Sequence, residues 1–181
     1  MNAQAQLLAF IDNYHIPLWQ PDNVCLKRNE VLLTAGQVHT HIYFVVEGAL
    51  RIYYPSPGGE NTIRFGYQDS LFAALDSFIT GSPSAYSVQA IRKTVLKVMK
   101  KDDFTAFVNS DGAHLQLWNQ MLGFTIAALL ERETDLLAAT PRERYERVLQ
   151  RSPQLFQHIP HRHIASYLRM APETLSRLKK S

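Results

Sequence analysis

Between residues 24 and 100, apolar side chains come in runs too short for a helix to settle. Val31–Leu33, Ile42–Val46, Ala49–Tyr54, Thr62–Tyr67, Tyr86–Ile91 and Thr94–Lys100 are rich in β-branched and aromatic residues. Gly36, Gly48, Pro55-Ser56-Pro57-Gly58-Gly59 and Gly81-Ser82-Pro83 separate them. Evenly spaced short strands with turn residues between them bury their apolar faces by stacking or closing, so this stretch predicts a β-sandwich or barrel. Ser70–Thr80 breaks the rhythm and is expected to hold a helical turn.

Helical periodicity brackets the strands. Leu7, Leu8, Phe10, Ile11 and Tyr14 predict a short amphipathic helix that Pro17 and Pro21 end. Asp102 or Asp103 is expected to cap a helix through Val108, and Ser110 or Asp111 a much longer, proline-free one over 112–139. Along the latter, Leu115, Trp118, Leu122, Thr125, Leu129 and Leu136 fall at steps of three and four, with Arg132 at the polar step. Such a seam suits pairing with a second copy, while Leu117, Met121, Phe124 and Ala128 on the opposite face can hold the barrel. The alternative is a core helix packed only on its own barrel. Thr140-Pro141-Arg142-Glu143 reads as a capping box with proline at the first helical position, and marks a hinge.

Apolar residues make up 46% and charged residues 19% of the 181-residue chain, enough for a real core. No window approaches a continuous membrane-spanning run, and the first residues lack the basic start of a secretory signal, so a cytoplasmic protein is expected. Cys25 is the single cysteine, which excludes an internal disulfide and a four-thiolate cluster. Charge is segregated: residues 1–139 carry a net −3, residues 140–181 a net +6. A basic module on an acidic body suits a nucleic-acid partner, although a solvated basic face gives the same count.

The basic end holds the most informative stretch, His161 to Lys180. Ile164, Ala165 and Leu168 form one inward face, and Leu175 and Leu178 another. Arg169-Met170-Ala171 separates them, and Pro172 opens the second segment. This is the spacing of two helices crossed over a short turn. The second helix is expected to present Glu173, Thr174, Ser176 and Arg177 to a major groove, where Arg pairs with guanine and Glu accepts from cytosine. Arg162, Lys179 and Lys180 suit phosphate contacts. An ordinary helical hairpin with a basic surface is the plainer alternative.

Here the sequence becomes recognisable. "HIASYLRMAPETLSRLKK" resembles the helix-turn-helix of the Crp/Fnr family of bacterial transcription regulators, and "GQVHTHIYFVVEGALRIYY" resembles the front of that family's β-roll. The short form looks most like a subgroup found in Bacteroidetes. The resemblance implies an α+β chain: a double-stranded β-helix of cyclic nucleotide-binding type (1–110), a long dimerisation helix (111–139, pairing along Leu115, Trp118, Leu122, Thr125 and Leu129) and a C-terminal helix-turn-helix (140–181). It implies a non-enzymatic regulator that binds a pseudo-palindromic site on double-stranded DNA as a homodimer, with RNA polymerase and a small-molecule effector as candidate further partners. Glu173 and Arg177 would read bases. Two departures stand out. Arg169 occupies a turn position where the family usually has Gly, and Pro172 one where some members have a base-reading Arg. The wing that many members add after the recognition helix has no counterpart in residues 1–181, so its backbone contacts are not expected from them.

The family's cyclic-nucleotide pocket needs an Arg for the cyclic phosphate, and that position falls near Ser84. The candidate pocket residues are Phe72, Ser84, Tyr86 and Arg64, with Arg92 as a second substitute cation. A buried phosphate without a cation is heavily uncompensated, so cyclic AMP is not expected to bind tightly and no cofactor is expected. The competing reading is a cupin-like metal-binding enzyme or small-ligand sensor that uses His39, His41 and Glu47, since residues 39 and 41 of a strand share a face. The spacing to Glu47 is long for that motif, and its second half lacks a histidine.

Overall fold

Alternation along the strands sets the barrel. β3 (His41–Glu47) turns Tyr43 and Val45 inward and Ile42 outward, and β8 (Thr94–Lys100) turns Leu96 and Val98 inward and Met99 outward. A strand with apolar residues on both faces needs two covers. The inner cover is the opposite sheet and the outer one is helical. In a computed structural model that describes residues 3–179, α1 (Ala3–Asp12) is followed by β1 (Val24–Leu26), β2 (Val31–Leu33), β3, β4 (Ala49–Ser56), β5 (Gly59–Tyr67), β6 (Leu71–Phe72), α2 (Leu75–Thr80), β7 (Ser87–Ala90) and β8. Then come α3 (Lys101–Asn109), α4 (Gly112–Leu137), α5 (Pro141–Arg151), α6 (Pro153–His158), α7 (His161–Tyr167) and α8 (Pro172–Leu178).

The strands form two antiparallel sheets, ordered β1-β8-β3-β6 and β2-β7-β4-β5. They close a β-roll over Leu26, Leu33, Tyr43, Val45, Leu50, Val88 and Leu96. The outer face of β3 and β8 packs on α1, α3 and α4 through Leu7, Ile11, Ile42, Met99, Phe104, Phe107 and Leu117. The expected strands are all present. Two more, β1 and β6, carry no signal in the sequence. β1 is only Val-Cys-Leu and β6 only two residues, each too short to carry a period.

One helix start differs from expectation. α3 begins at Lys101 with Lys100 at the cap and no side-chain capping bond, and Asp102 and Asp103 lie in its first turn. Their negative charge still opposes the positive end of the helix. Asp111 caps α4, accepting from the Ala113 N–H at 2.7 Å. The box at Thr140 is complete, with Glu143 N–H on Thr140 Oγ1 at 3.2 Å and Thr140 N–H on Glu143 Oε2 at 3.1 Å.

Gly48 joins β3 to β4 at φ 106°, and a Cβ there would lie 2.4 Å from Thr94 Oγ1 and 2.6 Å from the Lys93 carbonyl. Thr94 is fully buried, with its hydroxyl between the Arg92 carbonyl at 2.9 Å and the Ala49 carbonyl at 3.2 Å, so it has no room to give. Gly36 has φ 85° and open space around it. Gly36→Ala should therefore cost about 1–2 kcal/mol from backbone strain alone. Gly48→Ala adds overpacking and should cost about 2–4 kcal/mol in urea unfolding. Equal losses at the two sites would refute this account of the turn.

Candidate nucleic-acid interface and effector cleft

Helices α7 and α8 meet as the sequence predicts. Ile164, Ala165, Leu168 and Leu175 are completely buried, and the small Ala165 stands at the crossing. The Met170 N–H closes the turn on the Ala165 carbonyl at 3.0 Å. Arg169 has φ 55°, the left-handed conformation that explains why glycine is usual there. Its guanidinium donates to Asn61 Oδ1 at 2.6 Å, which offsets part of the strain.

The outer side of α8 is open. Glu173, Ser176, Arg177 and Lys179 are exposed and Thr174 is half-buried. Lys179 Nζ lies 2.6 Å from His161 Nε2. Arg162 is exposed but turned to the barrel, donating to Asn29 Oδ1 at 3.3 Å and to His163 Nε2 at 3.2 Å. Lys180 lies outside the described residues.

α7 docks on the free edge of β5. The Thr62 N–H donates to Ser166 Oγ at 2.9 Å, and that hydroxyl donates to the Glu60 carbonyl at 3.0 Å. Backbone groups that an edge strand leaves unpaired are thereby covered. Ala49 and Ile91 of the barrel share a core with Val148, Leu155, Ile159, Ile164 and Leu168. At the hinge, Arg144 donates to the Ala138 and Leu168 carbonyls at 3.1 and 3.0 Å. Buried Asp135 accepts from Arg147 at 3.1 Å and Arg151 at 2.5 Å. Ser166, Arg144 and Asp135 carry no signal in the sequence, because each acts on a backbone or partner distant along the chain.

The long helix presents two sides. Leu117 is buried and Trp118, Met121, Leu122, Thr125 and Leu136 are half-buried against the chain's own body. Trp118 packs edge-on against Phe104 at 5.0 Å, so this member of the expected seam is engaged within its own subunit. Leu115 and Leu129 remain on an exposed flank. Gly123, Ile126, Leu130 and Leu137 form an exposed stripe, again at heptad steps, with Leu130 58% and Leu137 79% exposed; Phe124 and Ala128, expected against the barrel, are exposed as well, because the barrel reaches only Leu117 and Met121 of that face.

A cleft of about 350 Å³ opens between β5, β6, α2 and α4, with Phe72, Tyr86 and Arg64 on its wall. Ser84 lies behind the wall, 1% exposed, and its hydroxyl is 3.0 Å from the Asp76 carboxylate, which itself lines the cleft. Arg92 does not line it and donates to the Gly48 carbonyl. The three candidate metal ligands do not converge. His39 precedes β3, so strand alternation does not govern it, and its Nε2 pairs with the Thr34 carbonyl at 3.1 Å. Glu47 is exposed at the far end of the strand. No group of three or more metal-binding side chains is assembled among the described residues.

A sequence model of the cyclic nucleotide-binding domain matches residues 23–111. Among solved structures, FixK2 from Bradyrhizobium japonicum superposes with a TM-score of 0.74 at 19% identity, over 88% of this chain and 82% of its own. A CRP-family transcriptional regulator from Thermus thermophilus gives 0.67 at 17% identity, over 87% and 82%. The c-di-GMP-responsive global regulator CLP of Xanthomonas campestris gives 0.72 at 11% identity, over 97% and 90%. Identities this low establish a shared fold. No curated protein matches by sequence. Among the described residues no helix is long and apolar enough to cross a membrane.

His163, at the docking surface, is 5% exposed. Burial, reinforced by Arg51 and Arg162 and opposed by Glu60, pushes its pKa down from 6.5 to about 4. Above pH 6.5 the ring is neutral folded or unfolded, and its contribution is fully present. As pH falls below 6.5 the unfolded chain takes a proton that the folded chain refuses, and stability is lost until about pH 4. A depression of this size is worth about 3 kcal/mol at most. In urea titrations, His163→Gln should lose clearly less stability than the native chain between pH 6.5 and 4.5. Parallel losses would contradict the assignment.

Proposed function

Residues 23–111 are a domain of the cyclic nucleotide-binding family, set in the fold of Crp/Fnr-type transcription regulators, and from this premise we propose that the chain is a non-enzymatic transcription regulator that binds double-stranded DNA sequence-specifically as a homodimer. The observation that carries the reading is the division of labour within α7 and α8. Their inner residues are sealed in a core, the docking to β5 uses α7, and α8 keeps Glu173, Ser176 and Arg177 free for base edges. The net +6 of residues 140–181 supplies phosphate affinity.

Pairing uses α4. Ile126, Leu130 and Leu137, flanked by Leu115 and Leu129, form the apolar stripe that a second copy covers, and Gly123 allows the helices to approach closely. Two recognition helices so related fit half-sites about one DNA turn apart. The hinge at Thr140–Pro141 transmits whatever the barrel binds. RNA polymerase enters this reading as the partner that a promoter-bound dimer meets. Arg177→Ala is expected to weaken binding to a selected duplex by about 1–3 kcal/mol and to relax one base position per half-site. Unchanged affinity and sequence preference in anisotropy titrations would remove α8 from the interface.

Cyclic AMP is not a tight effector in this reading. Arg64 is the sole cation among the residues lining the cleft, and the Asp76 carboxylate shares that wall. An anionic phosphate there meets repulsion as well as attraction. Calorimetric titration should give no sub-micromolar Kd, and a sub-micromolar value would overturn this part of the reading.

A further inference from the structure

Arg64 borders a second hollow, on the side of β5 that faces the C-terminal helices. It has a volume of about 220 Å³ and is walled by β5, α4, α5, the start of α6 and Tyr167 of α7. Arg64, Arg132 and Arg151 line it, and no carboxylate does. Among the described residues the Arg64 side chain makes no hydrogen bond or ion pair, its backbone being paired with Ile52 of β4. Arg132 has no carboxylate partner. It donates one N–H to the Thr62 carbonyl at 3.2 Å, and its guanidinium lies 5.0 Å from the centre of the Tyr167 ring. Arg151 is neutralised by Asp135 and Glu131. Yet the Nε atoms of both Arg132 and Arg151 are buried without a hydrogen-bond partner.

Arg132, half-buried and without a carboxylate partner, carries an electrostatic penalty that a bound anion removes. Burial holds Arg132 below the usual arginine range, while Arg64, exposed overall, adds an accessible cation to the same wall. Guanidinium groups on one wall match the oxygens of a tetrahedral dianion, and the small volume admits only a short organic body beside it.

We infer that this hollow binds a small phosphate monoester, held by Arg64, Arg132 and Arg151 where the barrel, the long helix and the C-terminal module meet. Such a ligand ties β5 and α4 to α5 and α7 across the hinge and regulates how firmly the module is held. The cleft inside the barrel is a different place, with an acidic wall that this hollow lacks.

The test is calorimetric titration of the full-length protein, without DNA, using glycerol 3-phosphate, with neutral glycerol and the dicarboxylate malonate as comparison arms. Because no DNA is present, its failure is separable from failure of the proposed function. Glycerol 3-phosphate should bind saturably and glycerol should not. Arg64→Gln and Arg132→Gln should each weaken binding about tenfold or more, as loss of a charge-assisted contact requires. Arg92→Gln, whose side chain does not line the hollow and bonds the Gly48 carbonyl instead, should bind as the native chain does. The Arg64 side chain makes no structural bond, so its variant stays informative even where Arg132→Gln perturbs folding, and Arg132→Lys then takes the place of the latter. Three results would overturn the inference: no saturable binding of the phosphate, tighter binding of malonate, or loss in Arg64→Gln with unchanged binding in both Arg132 variants. The last would move the ligand into the cleft.

Discussion

The barrel and the C-terminal helices share one apolar core, and the position of α8 follows from it. Ala49 and Ile91 come from the barrel, while Val148, Leu155, Ile159, Ile164, Leu168 and Leu175 come from the last helices. A module as short as residues 140–179 has too little interior to be stable by its own burial. It borrows a wall from the barrel, and Ser166 on the β5 edge fixes the register of that contact. A change in how β5 or α4 sits is therefore felt at α8 without any need for a long chain of intermediates. This is the physical basis on which a barrel of this kind can govern a distant helix.

Polar groups at the same junction have a different part. Asp135 is buried beneath Arg147 and Arg151, and Arg144 clamps the carbonyls on both sides of the hinge. Breaking a buried pair costs more than forming one gains, so these contacts favour a small number of discrete hinge geometries over a continuum. His163 adds a neutral ring to a surface crowded with arginines. The junction is thus apolar at its centre and cationic at its rim, and the unpaired guanidinium groups lie on the side facing α4.

Much of the fold is legible in the residues because it is periodic. Each long strand carries a two-residue alternation and each helix a three-to-four-residue one, and the turns at Gly36 and Gly48 and the box at Thr140 have local causes. β1 and β6 escape because two or three residues hold no period. The cap of α3 escapes because an aspartate in the first turn looks like one at the cap. On α4 the periodicity is genuine but ambiguous. Apolar residues lie nearly all round it, and only the position of the barrel decides that Trp118 faces inward while Ile126 and Leu130 face out. The exposed residues of α8 could be named in advance because they follow from a local motif. The hinge clamp, the edge-strand docking and the arginine hollow join residues dozens of positions apart, and nothing local announces them.

The claim on which this account turns is that two α8 helices, related by a two-fold axis through α4, read DNA together. Enrichment of the full-length protein's targets from an unbiased pool of random duplexes addresses it directly. The account predicts inverted half-sites with centres about ten base pairs apart. A pool that stays unenriched at low ionic strength, or one that yields isolated or directly repeated half-sites, would contradict it.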